Sequence, residues 1–235
     1  MAQFFWSADD YSVGDDLSGI WGVGGHQNTA VAILNDGTRN YLAFNGAYYR
    51  NQWAKFLLVD EFTDGEIYAE IDYTSRYLND GLALRIQDSG DRSTLEIPTG
   101  YYDNDVRLSD VDGSSGAFTL IDDWEGPVLY GDVLWHVRHK VAGSTVYGKK
   151  WQPSDSEPGW LASGTTAVTA PGRAGLQGWR IYQSNAFRLY SFGVGTGGDP
   201  APTEPVVTSS TPTLSSVFAS SITANSAVPN VTVTF

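Results

Sequence analysis

The chain has 235 residues and no cysteine, which excludes disulfides, thiolate metal sites and cysteine nucleophiles. Its formal net charge of -13 repels phosphate backbones and argues against nucleic acid as a partner. No apolar run approaches the roughly 18 residues of a membrane span, so no insertion into a membrane is expected.

Eight Trp, 13 Tyr and 26 Gly suit strands and turns better than helices. Met1 to Trp6 lacks the basic region and long apolar core of a secretory signal, so ordinary secretion is not expected. Phe4-Phe5-Trp6 reads as a first strand. Ser7 to Gly25 is turn-rich and carries Asp9, Asp10, Asp15 and Asp16. Ala30 to Leu34, Tyr41 to Phe44 and Ala54 to Val59 are further short strands, the first closed by the Asn35-Asp36-Gly37 turn signal. Asp64 to Tyr73 alternates cleanly. Ile67, Ala69, Ile71 and Tyr73 are expected on the core side, with Glu66, Tyr68, Glu70 and Asp72 on a solvated face.

Gly81 to Ile86, Leu95 to Tyr102, Asp105 to Ser109 and Ala117 to Ile121 continue the series, each bounded by turn residues. Leu134 to Val141 and Thr145 to Trp151 flank the turn Ala142-Gly143-Ser144 and read as an antiparallel hairpin. Trp135, Val137, His139 and Val141 share one face. A hairpin alone is marginal, so this face must close on a second sheet. Trp135, Trp151 and Trp160 are expected to point inward as structural anchors.

The composition breaks after Gly195. Residues 196–205, rich in Gly and Pro, read as a linker without packing surface. Residues 206–235 carry no charge and end in a β-forming stretch in which Val231, Val233 and Phe235 would share a face. Thirty such residues are too few for a core of their own, so this arm is expected to pair with another copy or a neighbouring protein.

The runs Trp135-His136-Val137-Arg138, Gly148-Lys149-Lys150-Trp151, Glu157-Pro158-Gly159-Trp160 and Gly172-Arg173-Ala174-Gly175-Leu176, closing on Phe187 to Val194, carry a likeness. Together they resemble the second half of the concanavalin A-like, laminin-G-like jelly-roll superfamily, particularly versions in bacteriophage virion proteins and bacterial surface proteins. The likeness implies an all-β, two-sheet antiparallel jelly-roll sandwich over residues 1–195 whose last strand returns beside the first. It also implies a place in a virion, assembled in the host cytoplasm. As function it implies a non-enzymatic structural or adhesion protein that either binds host-surface glycans or only decorates the particle surface, with a glycoside hydrolase or a bacterial surface lectin as alternatives.

Retaining hydrolysis needs two carboxylates about 5 Å apart. Glu70 and Asp72, two residues apart on one strand face, have that spacing. Glu70-Ile71-Asp72 resembles the start of the acid-x-acid-x-acid strand of jelly-roll β-glucanases, but Thr74 stands where the proton donor would be. Calcium needs several oxygen ligands. Asp9, Asp10, Asp15 and Asp16 are the first candidates for a structural calcium ion, and Asp122-Asp123 or Asp103, Asn104 and Asp105 are alternatives. Tyr48, Tyr49, Trp53, Tyr101, Tyr102, Trp124 and Trp179 are candidate sugar-stacking aromatics. His26, His136 and His139 form no ligand cluster, because His136 and His139 fall on opposite strand faces.

Overall fold

The computed structural model describes residues 2–25, 30–45, 52–73, 81–96, 105–126, 134–178 and 187–205. The strands are β1 (Gln3–Ser7), β2 (Trp21–Gly25), β3 (Ala30–Asn35), β4 (Asn40–Asn45), β5 (Gln52–Phe56), β6 (Gly65–Tyr73), β7 (Gly81–Ile86) and β8 (Arg92–Glu96). They continue as β9 (Val106–Val111), β10 (Phe118–Trp124), β11 (Leu134–Ala142), β12 (Thr145–Trp151), β13 (Ala162–Thr165), β14 (Arg173–Gly178) and β15 (Phe187–Thr196). β2 and β13 are strands that periodicity alone does not reveal. Both are short and glycine-containing, and their neighbours in the sheet define them.

All pairing is antiparallel within two sheets. The first, sheet A, runs β13-β12-β11-β6-β15-β4-β3, with β1 also on β15; sheet B runs β10-β9-β8-β7-β14-β5-β2. The hairpin at Gly143 forms with Val141 opposite Val146 and Arg138 opposite Lys149. β1 lies on β15 with Phe4 opposite Val194, so the chain's first and last strands are neighbours. This is a two-sheet jelly-roll sandwich.

The sheets close through the alternating apolar residues. Ile67, Ala69 and Ile71 of β6 and Trp135, Val137 and Val141 of β11 are buried in the core, together with Leu82, Leu84, Leu95 and Leu108 of sheet B. Trp21 is, with Trp6 and Trp135, among its largest members. Its ring meets Trp6, Phe56 and Phe192 at centroid separations of 5.6, 5.1 and 5.2 Å. Truncating such a ring to alanine costs about 3–5 kcal/mol, so this contact fixes how the first and last strands sit on sheet B.

Two expectations need correction here. Of the three tryptophans, Trp135 joins the intersheet core, but Trp151 lies on the outer face of sheet A with Tyr68 and Ala201. Trp160 packs on Tyr147 of that same outer face, with ring centroids 5.5 Å apart. The parity of β12 decides this, since Trp151 is paired with His136 and shares its outward face.

The second concerns residues 196–205, which are not a bare linker. Gly197 N–H donates to the Asp64 carbonyl (2.9 Å), and the chain then turns back over β15 and β6. Arg138 Nη1 donates to the Ala201 carbonyl (2.9 Å) and Gln3 Nε2 to the Pro200 carbonyl (2.8 Å). Gly193 and Gly195 make the approach possible, because a Cβ at either would collide with the backbone of Pro202 or of Asp199 and Pro200. The missing side chains are the packing surface. Residues 206–235, with Val231, Val233 and Phe235, lie outside the described residues.

Candidate functional site

The outer face of sheet A holds the carboxylates of β6, and it is not a solvated face. Glu66, Tyr68 and Asp72 are buried. Each carboxylate meets an arginine from another strand or turn. Arg138 pairs with Glu66, Arg39 with Glu70 (2.7 Å) and Arg188 with Asp72 (3.5 Å). Arg39 binds Glu70 with both nitrogens, at 2.7 and 3.0 Å, and the pairing holds the guanidinium above its already high range. Glu157 adds a further link, 2.8 Å from both Arg138 and Lys149.

A hydrolase acid must carry a proton at neutral pH, which needs a raised carboxyl pKa. Bidentate arginine favours the ionised form instead. Glu70 and Asp72 do share a face, but as halves of two ion pairs, and His136 beside Glu70 is pulled down by burial. The arrangement is built to be static.

The four N-terminal aspartates do not converge. Asp9 Oδ1 accepts from the Asn40 amide (2.9 Å) and its Oδ2 faces Arg39 (3.4 Å). Asp15 accepts from Ser12 N–H and Asp16 from Ser18 N–H. Asp122 is likewise taken, by Ser163 N–H at 2.8 Å, and Asp123 and Asp105 both lie on Arg107. Among the described residues no group of three His, Asp or Glu side chains is placed to hold a metal ion. Asp103 and Asn104 lie outside the described residues.

Of the candidate aromatics, Tyr48, Tyr49, Tyr101, Tyr102 and Trp179 lie outside the described residues. Trp124 does not face solvent as a sugar platform; it packs against the core. The cause is a register shift between Leu120 and Asp122, which lets both Ile121 and Trp124 turn inward while Leu120 points out. Trp53 is half-buried on the outer face of sheet B. Its ring lies over Gly24, where any Cβ would overlap it, and Lys55 Nζ sits 4.9 Å from the ring centroid.

Pairing puts Trp53, Gln177, Gly81, Glu96, Arg107 and Asp123 in one row across sheet B. Arg92 reaches along the face to donate to Gln177, and Thr94 Oγ1 donates to the Ser109 carbonyl (3.1 Å). Burial pulls the Arg92 guanidinium down to about 9, with Glu96 and Asp91 opposing that pull. These side chains are outside the intersheet core, yet Gln177, Arg92, Thr94 and Glu96 are buried and planar or hydroxylated. Composition hides this polar set, because its members come from three strands far apart in the chain.

The strand ends Gly25, Gln52, Gly81, Glu96, Trp124 and Gly178 all sit at one end of this sheet.

No protein-family model matches the sequence, and no curated protein matches it. Solved structures do match. A native glycosidic hydrolase shares 10% identity over 84% of this chain and 97% of its own, with a TM-score of 0.53. Lectin I from Ulex europaeus, in complex with the methyl glycoside of α-L-fucose, shares 12% identity over 82% and 97%, with a TM-score of 0.51. The carbohydrate-binding module CBM66 from Bacillus subtilis shares 13% over 75% and 92%, with a TM-score of 0.50. The fold is concanavalin A-like. At these identities the likeness is one of architecture, and the chemistry has to come from the residues above.

Proposed function

We propose that this chain is a non-enzymatic glycan-binding module of a bacteriophage virion, attached through residues 206–235. The observation that carries the binding half is the polar row on the outer face of sheet B, running from Trp53 to Arg107. The two residues stand four strand spacings apart, about 19 Å, the reach of a short oligosaccharide. Gln177, Arg92, Thr94 and Glu96 between and beneath them are fixed by mutual hydrogen bonds, so the row is pre-organised. The partly exposed Trp53 and Arg107 would meet the apolar face and the hydroxyl edge of a sugar, with the buried polar set holding the sheet between them. The lectin and carbohydrate-binding neighbours use the same architecture, which supports the reading by analogy.

The non-enzymatic half rests on Arg39 and Arg188, which engage Glu70 and Asp72 in ion pairs. The virion half rests on the uncharged Thr/Ser/Val-rich character of residues 206–235. The test is a broad glycan array with the intact chain, repeated with Trp53→Ala and Arg107→Ala. At least one glycan should be retained, and its affinity should fall about tenfold or more in either variant. A silent array, or binding indifferent to both changes, refutes this assignment.

A further inference from the structure

The opposite end of the sandwich carries a cavity of about 400 Å³. It opens between the turn after β7, the end of β9, the start of β10 and the segment joining β13 to β14. We propose that this cavity is a second saccharide site, for one or two neutral sugar units. The proposal rests on the glycan-binding reading above and adds to it a separate place and a narrower ligand class.

The lining is two-sided, as a sugar is. Gln87 contributes an amide, Thr119 and Thr169 hydroxyls, and Asp91 and Asp112 carboxylates; Val111 and Val168 supply apolar surface. The volume lies within the roughly 300–1,000 Å³ of small-ligand sites.

Its walls are held by Arg85 from behind and by Asp110, which itself lines the cavity. Arg85 is fully buried and has φ of 53°, the one non-glycine left-handed residue among those described. Its guanidinium donates to the carbonyls of Thr63, Val168 and Gly143, each at 2.6 Å. A left-handed arginine is strained, and here the strain sits directly behind the cavity wall. From the other side Asp110 accepts from Thr166 Oγ1 (2.5 Å) and Ala167 N–H (2.7 Å). The wall at 166–168 is thus clamped between Arg85 and Asp110.

The acids favour hydroxyls over a cation. Asp91 Oδ1 accepts from Gly113 N–H (2.7 Å). Asp112 Oδ1 accepts from Ser114 Oγ (2.6 Å), Ser114 N–H (2.8 Å) and Ser115 N–H (3.0 Å), and these bonds hold its carboxyl below the usual range. Asp112 is tied to its own turn and Asp91 bridges from Ser89 to Gly113, and among the described residues no three converge on a point where a metal would sit. They remain oriented acceptors for hydroxyl donors. The same charges repel uronic and sialic acids, which restricts the ligand to neutral sugars.

The experiment is a backbone-amide NMR titration of the full chain with glucose, galactose, mannose, fucose, rhamnose and N-acetylglucosamine, and with their short oligomers. Glucuronic acid, N-acetylneuraminic acid and calcium chloride are run as controls. A neutral sugar should shift Gln87, Asp112 and Ala170. Ala170→Trp, which fills the opening from an exposed position, should weaken that sugar at least tenfold, and Gln87→Ala should weaken it severalfold. Shifts confined to the Gln52 and Gly178 end, unaltered by Ala170→Trp, would overturn the second site and leave the first reading standing. No shift with any sugar overturns both. Calcium shifting Asp91 and Asp112 without sugar would replace the saccharide by a cation and overturn the proposal.

Discussion

Arg39 grips Glu70 by both carboxylate oxygens across 31 positions of sequence, from the β3–β4 turn to the middle of β6. Arg39 stacks at the same time over Tyr190, 4.6 Å from the ring centroid. The contact engages Glu70, one of the two acids spaced as a hydrolase pair, in a two-point ion pair. Arg39→Ala should therefore lower stability by only about 1 kcal/mol, since the arginine is partly exposed, and should create no hydrolytic activity. Urea unfolding with a reducing-sugar assay on β-glucans checks both. Measurable hydrolysis by the parent chain, lost in Glu70→Gln, would show that the pair does chemistry.

Gly193 and Gly195 should tolerate no side chain. Alanine at either would push the 199–202 segment off the sheet and expose Tyr68 and Ala201, at a cost of about 1–3 kcal/mol. Limited proteolysis should then cut between Gly197 and Glu204, where the parent resists. Unchanged protection in both variants would mean that this return packing adds nothing.

Much of the body is legible in the amino-acid sequence. Alternation alone places Ile67, Ala69 and Ile71 of β6, and Trp135, Val137, His139 and Val141 of β11, on the buried side. The turn at Gly143 sets the register between β11 and β12. What alternation cannot show is what covers the other face. Glu66, Tyr68 and Asp72 read as solvated because their burial comes from residues 196–202 and from arginines on other strands. Trp124 reads as outward because a single register shift before Asp122 reverses strand parity. Arg85 looks like one charge in an apolar strand. Only three loops arriving together make it a pin.

That pin yields a large expected effect. Arg85→Met would leave the carbonyls of Thr63, Gly143 and Val168 without their shared donor, at a cost of about 3 kcal/mol or more. Arg85→Lys should recover little, since one ammonium cannot span three loops. Chemical denaturation of both variants is the check, and losses under 1 kcal/mol in each would contradict the pinning role.

His139 gives a pH dependence of known sign. It is fully buried, its Nδ1 is 3.0 Å from the Tyr147 carbonyl oxygen, and burial pulls its pKa down to about 4. The unfolded chain takes up a proton near 6.5 and the folded chain does not. Stability should therefore be intact above about pH 6.5 and fall as pH drops from 6.5 towards 4, by up to roughly 3 kcal/mol from this residue. A His139→Gln variant should lose that component of the slope. Equal acid sensitivity in both chains would remove His139 as its source.

The central claim is a sandwich that holds sugars without cutting them, and the direct measurement is the intact chain on a broad glycan array with product analysis of every bound glycan. The account predicts at least one neutral glycan retained and recovered whole. No binding anywhere, or a bound glycan recovered as shorter fragments, would contradict it.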